Sequence, residues 1–180
     1  MNRGQPLALL LSVLAVETTQ AVWADTRAPV TTPSTTIGIL AVNNGQELLV
    51  EINGQGRTLR LSCIQAPRIQ QQPWAKTAKE ALAKEATIGS QWQFQLRARD
   101  VHGRLVGTLK RGDRDLVEPL LREGQVFAYD GFLGRCDDLP YTAWQSEARA
   151  RGVGIWSVQN GITRPWDLRE RTPVEEQLAP

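Results

Sequence analysis

Two arginines bracket the end of one strand-like stretch. Residues 58–68 read Thr-Leu-Arg-Leu-Ser-Cys-Ile-Gln-Ala-Pro-Arg. Leu59, Leu61 and Cys63 alternate onto one face and Arg60 onto the other, as in a half-buried strand. Pro67 then removes a ladder donor and biases Ala66 toward an extended or turn conformation. Arg60 therefore sits mid-strand and Arg68 just past the strand end, where a rigid element hands the chain to a loop. A guanidinium fixed there can grip a pair of phosphate oxygens through its planar fork of donors. Arg104 closes a second candidate stretch, Asp100-Val101-His102-Gly103-Arg104, which reads as a hairpin connection. His102 is the single histidine and the one side chain suited to proton transfer near neutral pH. A lone turn histidine is more often merely exposed.

The elements that must hold these residues follow from periodicity. Alternating runs predict strands over 37–42, 48–52, 57–64, 91–99 and 105–109, the first three joined by tight turns at Asn43-Asn44-Gly45 and Asn53-Gly54-Gln55-Gly56. Helical spacing predicts helices over 74–86, 116–123 and 141–151, the first opened by Pro73 and the others stopped by Gly124 and Gly152. Val153-Gly154-Ile155-Trp156 is expected to pack back on the strands. Five short strands, a helix after the third and two more helices make an OB-fold β-barrel with helical additions, an α+β arrangement. On the predicted fourth strand, Arg97 and Arg99 point away from the apolar face and read as solvated charges or as an extension of a basic surface.

The whole composition suits one globular domain with tails: 180 residues, 41% hydrophobic and 22% charged. A net charge of +2 excludes a polycationic nucleic-acid coat. The 21 basic residues are 17 Arg and 4 Lys. Anion recognition and genome composition account for that bias equally well.

The N-terminus reads as an export signal over 1–24: Arg3, an apolar run from Pro6 to Val16 and small residues at Val22-Trp23-Ala24. The run is short for a permanent membrane helix, so no transmembrane helix is expected after cleavage and the protein is expected to be secreted or periplasmic. Residues 25–36, rich in Thr and Pro, read as a flexible linker, and 158–180 as a loose polar tail. In an oxidising compartment Cys63 and Cys136 could form a disulfide, or remain two separate buried thiols.

The ordered pieces resemble the thermonuclease (staphylococcal-nuclease-like) family over residues 37–157. The resemblance is carried by the turn Asn44-Gly45-Gln46-Glu47, by Leu59-Arg60-Leu61 leading to Ile64-Gln65-Ala66-Pro67, and by His102-Gly103-Arg104. Leu120-Leu121-Arg122-Glu123-Gly124 and the stretch from Ala148 to Ser157 complete it. The family implies a five-stranded barrel with about three helices and calcium-dependent phosphodiester hydrolysis. In that chemistry carboxylates hold the metal, a glutamate positions water and two arginines neutralise the charge that grows in the transition state. Residue by residue, Arg60 and Arg104 match the two arginines. The carboxylates do not match: the two metal aspartates fall on Gln46 and Gln65, and the glutamate falls on Arg68. A neutral amide offers calcium no anionic charge, and an arginine cannot accept a proton at neutral pH. Glu47 is one residue from the lost turn ligand and Asp100 lies near the Gly103-Arg104 hairpin, but each reads first as a surface carboxylate, and Glu47 alternates to the opposite side from Gln46.

The expectation from sequence is an exported, catalytically impaired thermonuclease-like domain with no metal cofactor. It would bind single-stranded nucleic acid or a nucleotide phosphate through Arg60, Arg68 and Arg104 at one barrel mouth. Two alternatives stand beside it: an active secreted nuclease with a rearranged metal site, and a structural or protein-interaction scaffold.

Overall fold

The computed structural model describes residues 1, 34–129 and 136–170. The expected signal segment, most of the linker and the end of the tail lie outside those residues. The account below concerns the unit Thr32–Pro180.

Eight strands and three main helices follow in order: β1 (Thr35–Asn44), β2 (Glu47–Ile52), β3 (Gln55–Leu61), β4 (Ile64–Gln65), α1 (Trp74–Glu85), β5 (Gln91–Arg99), β6 (Leu105–Arg111), β7 (Arg114–Asp115), α2 (Glu118–Arg122), β8 (Phe127–Ala128) and α3 (Tyr141–Arg151). A 3₁₀ turn, Gly154–Trp156, and one helical turn, Asp167–Glu170, complete the elements among the described residues. Strands β1, β2 and β3 form the antiparallel meander that the turns imply. β1 also pairs antiparallel with β5, and β5 with β6. The barrel closes where β3 and β6 run parallel, with Leu59 opposite Leu105, Arg60 opposite Val106 and Leu61 opposite Gly107. Five long strands thus form the closed barrel of an OB-like fold, with α1, α2 and α3 packed around it.

Alternation decides what fills it. Ile37, Ile39, Leu48, Val50, Leu59, Leu61, Trp92 and Leu109 are buried, together with Ala78 and Leu82 of α1. Each fully buried aliphatic side chain contributes about 1.5–3 kcal/mol. Glycine is required where backbones press together. A Cβ on Gly45, between β1 and β2, would lie 2.7 Å from the Ala78 Cβ of α1, and one on Gly107 would lie 2.2 Å from the Gln95 carbonyl oxygen. Behind the barrel, buried Asp115 accepts hydrogen bonds from the Val117 N–H and the Tyr141 hydroxyl, both at 2.9 Å, and so ties β7 to α3. Burial raises the pKa of both side chains above their ordinary values.

Three expectations need correction. The third strand does not run on to Ile64: it stops at Leu61, and Cys63 turns with φ of 60° before β4 departs to pair with β8. A backbone hydrogen bond from Tyr129 to the Cys63 carbonyl holds that bend. The first strand already includes Thr35 and Thr36, inside the expected linker. The stretch after Val158 is also not loose through residue 168, because Trp166 packs edge-on to Phe127 at 5.6 Å and against Tyr129 at 4.5 Å. Apolar ring burial outweighs the polar composition that suggested a tail. Among the described residues no helix is long and apolar enough to cross a membrane.

Candidate anion-binding groove

The bend after β3 brings the singled-out residues together. With the chain turned at Cys63, Gln65 reaches back so that its Oε1 accepts a hydrogen bond from Arg60 Nη2 at 2.6 Å. Gln46, only 8% exposed, is tied on three sides. Its side-chain Oε1 accepts from the Ala66 N–H at 2.7 Å, its carbonyl accepts from Leu61 N–H, and its own N–H donates to Asn44 Oδ1. Arg68 donates from Nε to the Pro165 carbonyl at 2.7 Å, and Gln71 donates to the Thr163 carbonyl at 2.6 Å. These last two bonds anchor the C-terminal segment across the loop after β4.

Arg60, Arg68, Gln46 and Gln65 line a groove of about 690 Å³. Two further cations line it, Lys76 and Lys79 of α1, and no carboxylate does so among the described residues. The lysines are exposed on the helix face away from Ala78 and Leu82. Their three-residue spacing on a predicted helix was a legible signal that the sequence reading left unused. Lys76 also faces Glu80 at 3.9 Å, but both side chains are more than half exposed and such a pair holds weakly.

Arg104 is held by two carboxylates, one of which, Glu47, stands directly across the β2–β3 ladder from Arg60. It donates from Nε to Asp100 Oδ2 at 2.6 Å and from Nη1 to Glu47 Oε2 at 2.8 Å. It lines a different groove of about 760 Å³, together with Arg57, Arg99 and His102. Register and turn geometry bring its two partners in. Glu47 is carried in beside the hairpin from β2, and Asp100 caps that hairpin by accepting from the backbone N–H groups of His102 and Arg104. Burial works to raise the Asp100 pKa, but the Arg104 guanidinium and the two backbone donors outweigh it, and the carboxyl lies below its ordinary value. Glu47 and Asp100 are thus arginine partners in a hairpin lock, not plain surface carboxylates. His102 is exposed at the tip. Arg97 also departs from the solvated reading: its side chain is 14% exposed and bridges to both oxygens of Asp138. Arg99 makes only a long contact with the Gly103 carbonyl.

Cys63 and Cys136 are joined in a disulfide, with Cα atoms 5.7 Å apart. It ties the bend beside the groove to the segment preceding α3.

Calcium, the metal implied by the family, does not fit this donor set. A hard dication needs several oxygen ligands, most of them anionic. The side-chain oxygens of Gln46 and Gln65 are neutral and already accept hydrogen bonds, and Arg68 brings a positive charge where the third acid would stand. Among the described residues no cluster of three or more His, Cys, Asp or Glu side chains is placed to hold a metal.

Comparison with known proteins agrees with the barrel. The family model described as "Staphylococcal nuclease homologue" matches residues 58–158, which include Arg60, Gln65, Arg68 and Arg104. The chain is 27% identical over 156 residues to "Micrococcal nuclease" of Shigella flexneri, covering 82% of each protein. It is 27% identical over 119 residues to "Probable staphylococcal-like nuclease CAN2" of Oryza sativa subsp. japonica, and 25% identical over 119 residues to "Probable staphylococcal-like nuclease CAN3" of the same plant. Those two alignments cover 66% of this chain but only 31% and 30% of the rice proteins, so the chain spans about a third of their length.

Proposed function

Because the chain belongs to the family of staphylococcal nuclease homologues, we propose that it is an exported member that binds a phosphate-bearing ligand, single-stranded nucleic acid foremost, without cutting it. One observation carries the reading. The groove that holds all three altered acid positions is lined by Arg60, Arg68, Lys76 and Lys79, so the site has exchanged a cation-binding charge pattern for an anion-binding one. Binding then needs no metal, because fixed cations supply the attraction that a dication supplies in the family. Cleavage lacks a base: Arg68 cannot take a proton from water. The names of the relatives, nucleases all, support nucleic acid as the ligand class. Export rests on the signal pattern over 1–24.

The test is fluorescence anisotropy with a labelled single-stranded oligonucleotide, with and without chelator. Binding should be unchanged by chelator and weaken about tenfold or more in Arg68→Ala, since a charge-assisted hydrogen bond contributes about 1.5–3 kcal/mol. Absence of any anion affinity would leave a scaffold, and affinity that vanishes with chelator would restore a metal site.

A further inference from the structure

We propose that a second groove, built from paired arginines and tryptophans, continues the anion site into a track for a longer single strand; the inference rests on the phosphate-binding reading above. This groove, of about 500 Å³, is lined by Arg149, Arg164, Trp156, Trp166, Gln145 and Asp167 among others. The Arg149 guanidinium lies 5.6 Å from the Trp156 ring centroid, and the Arg164 guanidinium 5.4 Å from that of Trp166. Phe127 stands edge-on to both indoles, at 5.4 and 5.6 Å, and fixes the pair. Each arginine is thus held by cation–π contact, which limits the side-chain freedom it must lose on binding. Both are exposed. Among the described residues one carboxylate lines the groove, Asp167, which accepts from Arg164 Nε at 2.8 Å, so Arg149 leaves that lining with a net positive charge.

The two grooves meet at the C-terminal segment. Arg68, which lines the first, donates to the carbonyl of Pro165, and Arg164 and Trp166, on either side of that proline, line the second. A chain bound by phosphate at Arg68 therefore has its next cationic and aromatic surface immediately across this strap. Single strands are held by such an alternation, with backbone charge on cations and bases on aromatic or guanidinium planes. An acidic peptide would satisfy the charge but offer no ring to the planes, so a nucleic acid fits better.

The test compares two labelled oligothymidylates, one of about three nucleotides, below the range of OB-fold site sizes, and one of about twelve, within it. Binding to the whole protein is measured over a salt series. For Arg149→Ala/Arg164→Ala the long strand should bind about tenfold more weakly, and its log–log salt slope should fall by about 1.4, two lost contacts at about 0.7 each. The short strand should bind as to the unaltered protein. Arg149→Lys/Arg164→Lys should restore the salt slope while leaving affinity for the long strand reduced, because lysine keeps charge but not the plane. Unchanged long-strand binding in the alanine variant, or equal loss for both strands, overturns the track while leaving the first groove standing. Displacement of the long strand by an acidic peptide as readily as by unlabelled strand overturns nucleic-acid selectivity. If neither strand binds the unaltered protein, both readings fall.

Discussion

Replacing Gln46 by alanine separates a structural amide from a vestigial metal ligand. In the structure the Gln46 Oε1 accepts the N–H of Ala66 at 2.7 Å, and both residues are buried, at 8% and 4% exposure. Truncation leaves that N–H without its acceptor in a place water does not easily reach. An orphaned buried donor costs about 1–3 kcal/mol. At roughly 2–4 °C per kcal/mol for a chain of this size, the melting temperature should fall by roughly 2–12 °C. Gln46→Glu keeps the chain length and an acceptor oxygen, so it should recover most of that loss. It would also place a negative charge in a groove lined by Arg60 and Arg68, so it should weaken oligonucleotide binding several-fold while melting near the unaltered protein. The assays are thermal unfolding and anisotropy on the same samples. An alanine variant that melts within about a degree of the parent would refute the claim that this amide holds the turn. A Gln46→Glu variant that gains anion affinity would refute the anion-binding charge of the groove.

Three further outcomes follow from the same geometry. Arg104→Ala should lower stability by about 1 kcal/mol, since it strips two partly buried carboxylates of their partner. It should also weaken strand binding, because Glu47, freed of Arg104, stands directly across the ladder from Arg60, and unchanged affinity would place Arg104 outside the binding site. The two perturbed carboxyls should give opposite pH trends in denaturant titrations. Asp100 has a lowered folded-state pKa, so its contribution is present above its unfolded value near 3.8 and disappears as pH falls through the folded one. The stability deficit of Asp100→Asn should therefore close in acid. Asp115 has a raised folded-state pKa, so its favourable contribution belongs to the protonated form and is lost as pH rises through that value. Asp115→Asn should accordingly gain on the parent as pH rises from the acid range toward neutrality. Reducing Cys63–Cys136, which spans 73 residues of sequence, should lower stability by about 4 kcal/mol on a chain-entropy estimate, seen as a shifted urea midpoint.

Much of the fold is legible because two periodicities dominate the chain. Trp92 and Phe94 alternate inward along β5 as a half-buried strand requires, and α3 matches its predicted bounds residue for residue. The turn at Cys63 is not legible. A positive φ at a cysteine has no residue signature, and it is held by a disulfide and by Tyr129, both distant in sequence. The packing beyond Val158 is equally hidden, because half-buried Trp166 packs against Phe127 and Tyr129, both distant in sequence. At the site, the replaced acids at Gln46, Gln65 and Arg68 are plain from sequence once the resemblance is drawn. What they do instead is tertiary. Gln46 and Gln65 turn from ligands into hydrogen-bond stitches, and Arg68 into the anchor of a strap. The pairing of Arg104 with Glu47 depends on the β2 register that sets Glu47 opposite Arg60, which no local pattern shows. The Asp100–Arg104 half of that lock was within reach, since a hairpin connection already placed the two residues together.

The central claim is that this groove holds a phosphate chain without metal and does not cut it. The most direct measurement follows a labelled single-stranded oligonucleotide with calcium, magnesium, manganese or chelator, reading binding and cleavage together, beside Arg60→Ala. The expected result is intact strand in every tube, equal binding with and without metal, and weakened binding in the variant. Metal-dependent cleavage that disappears in Arg60→Ala would contradict it, and would mean that a working metal site survives without the acids at Gln46, Gln65 and Arg68.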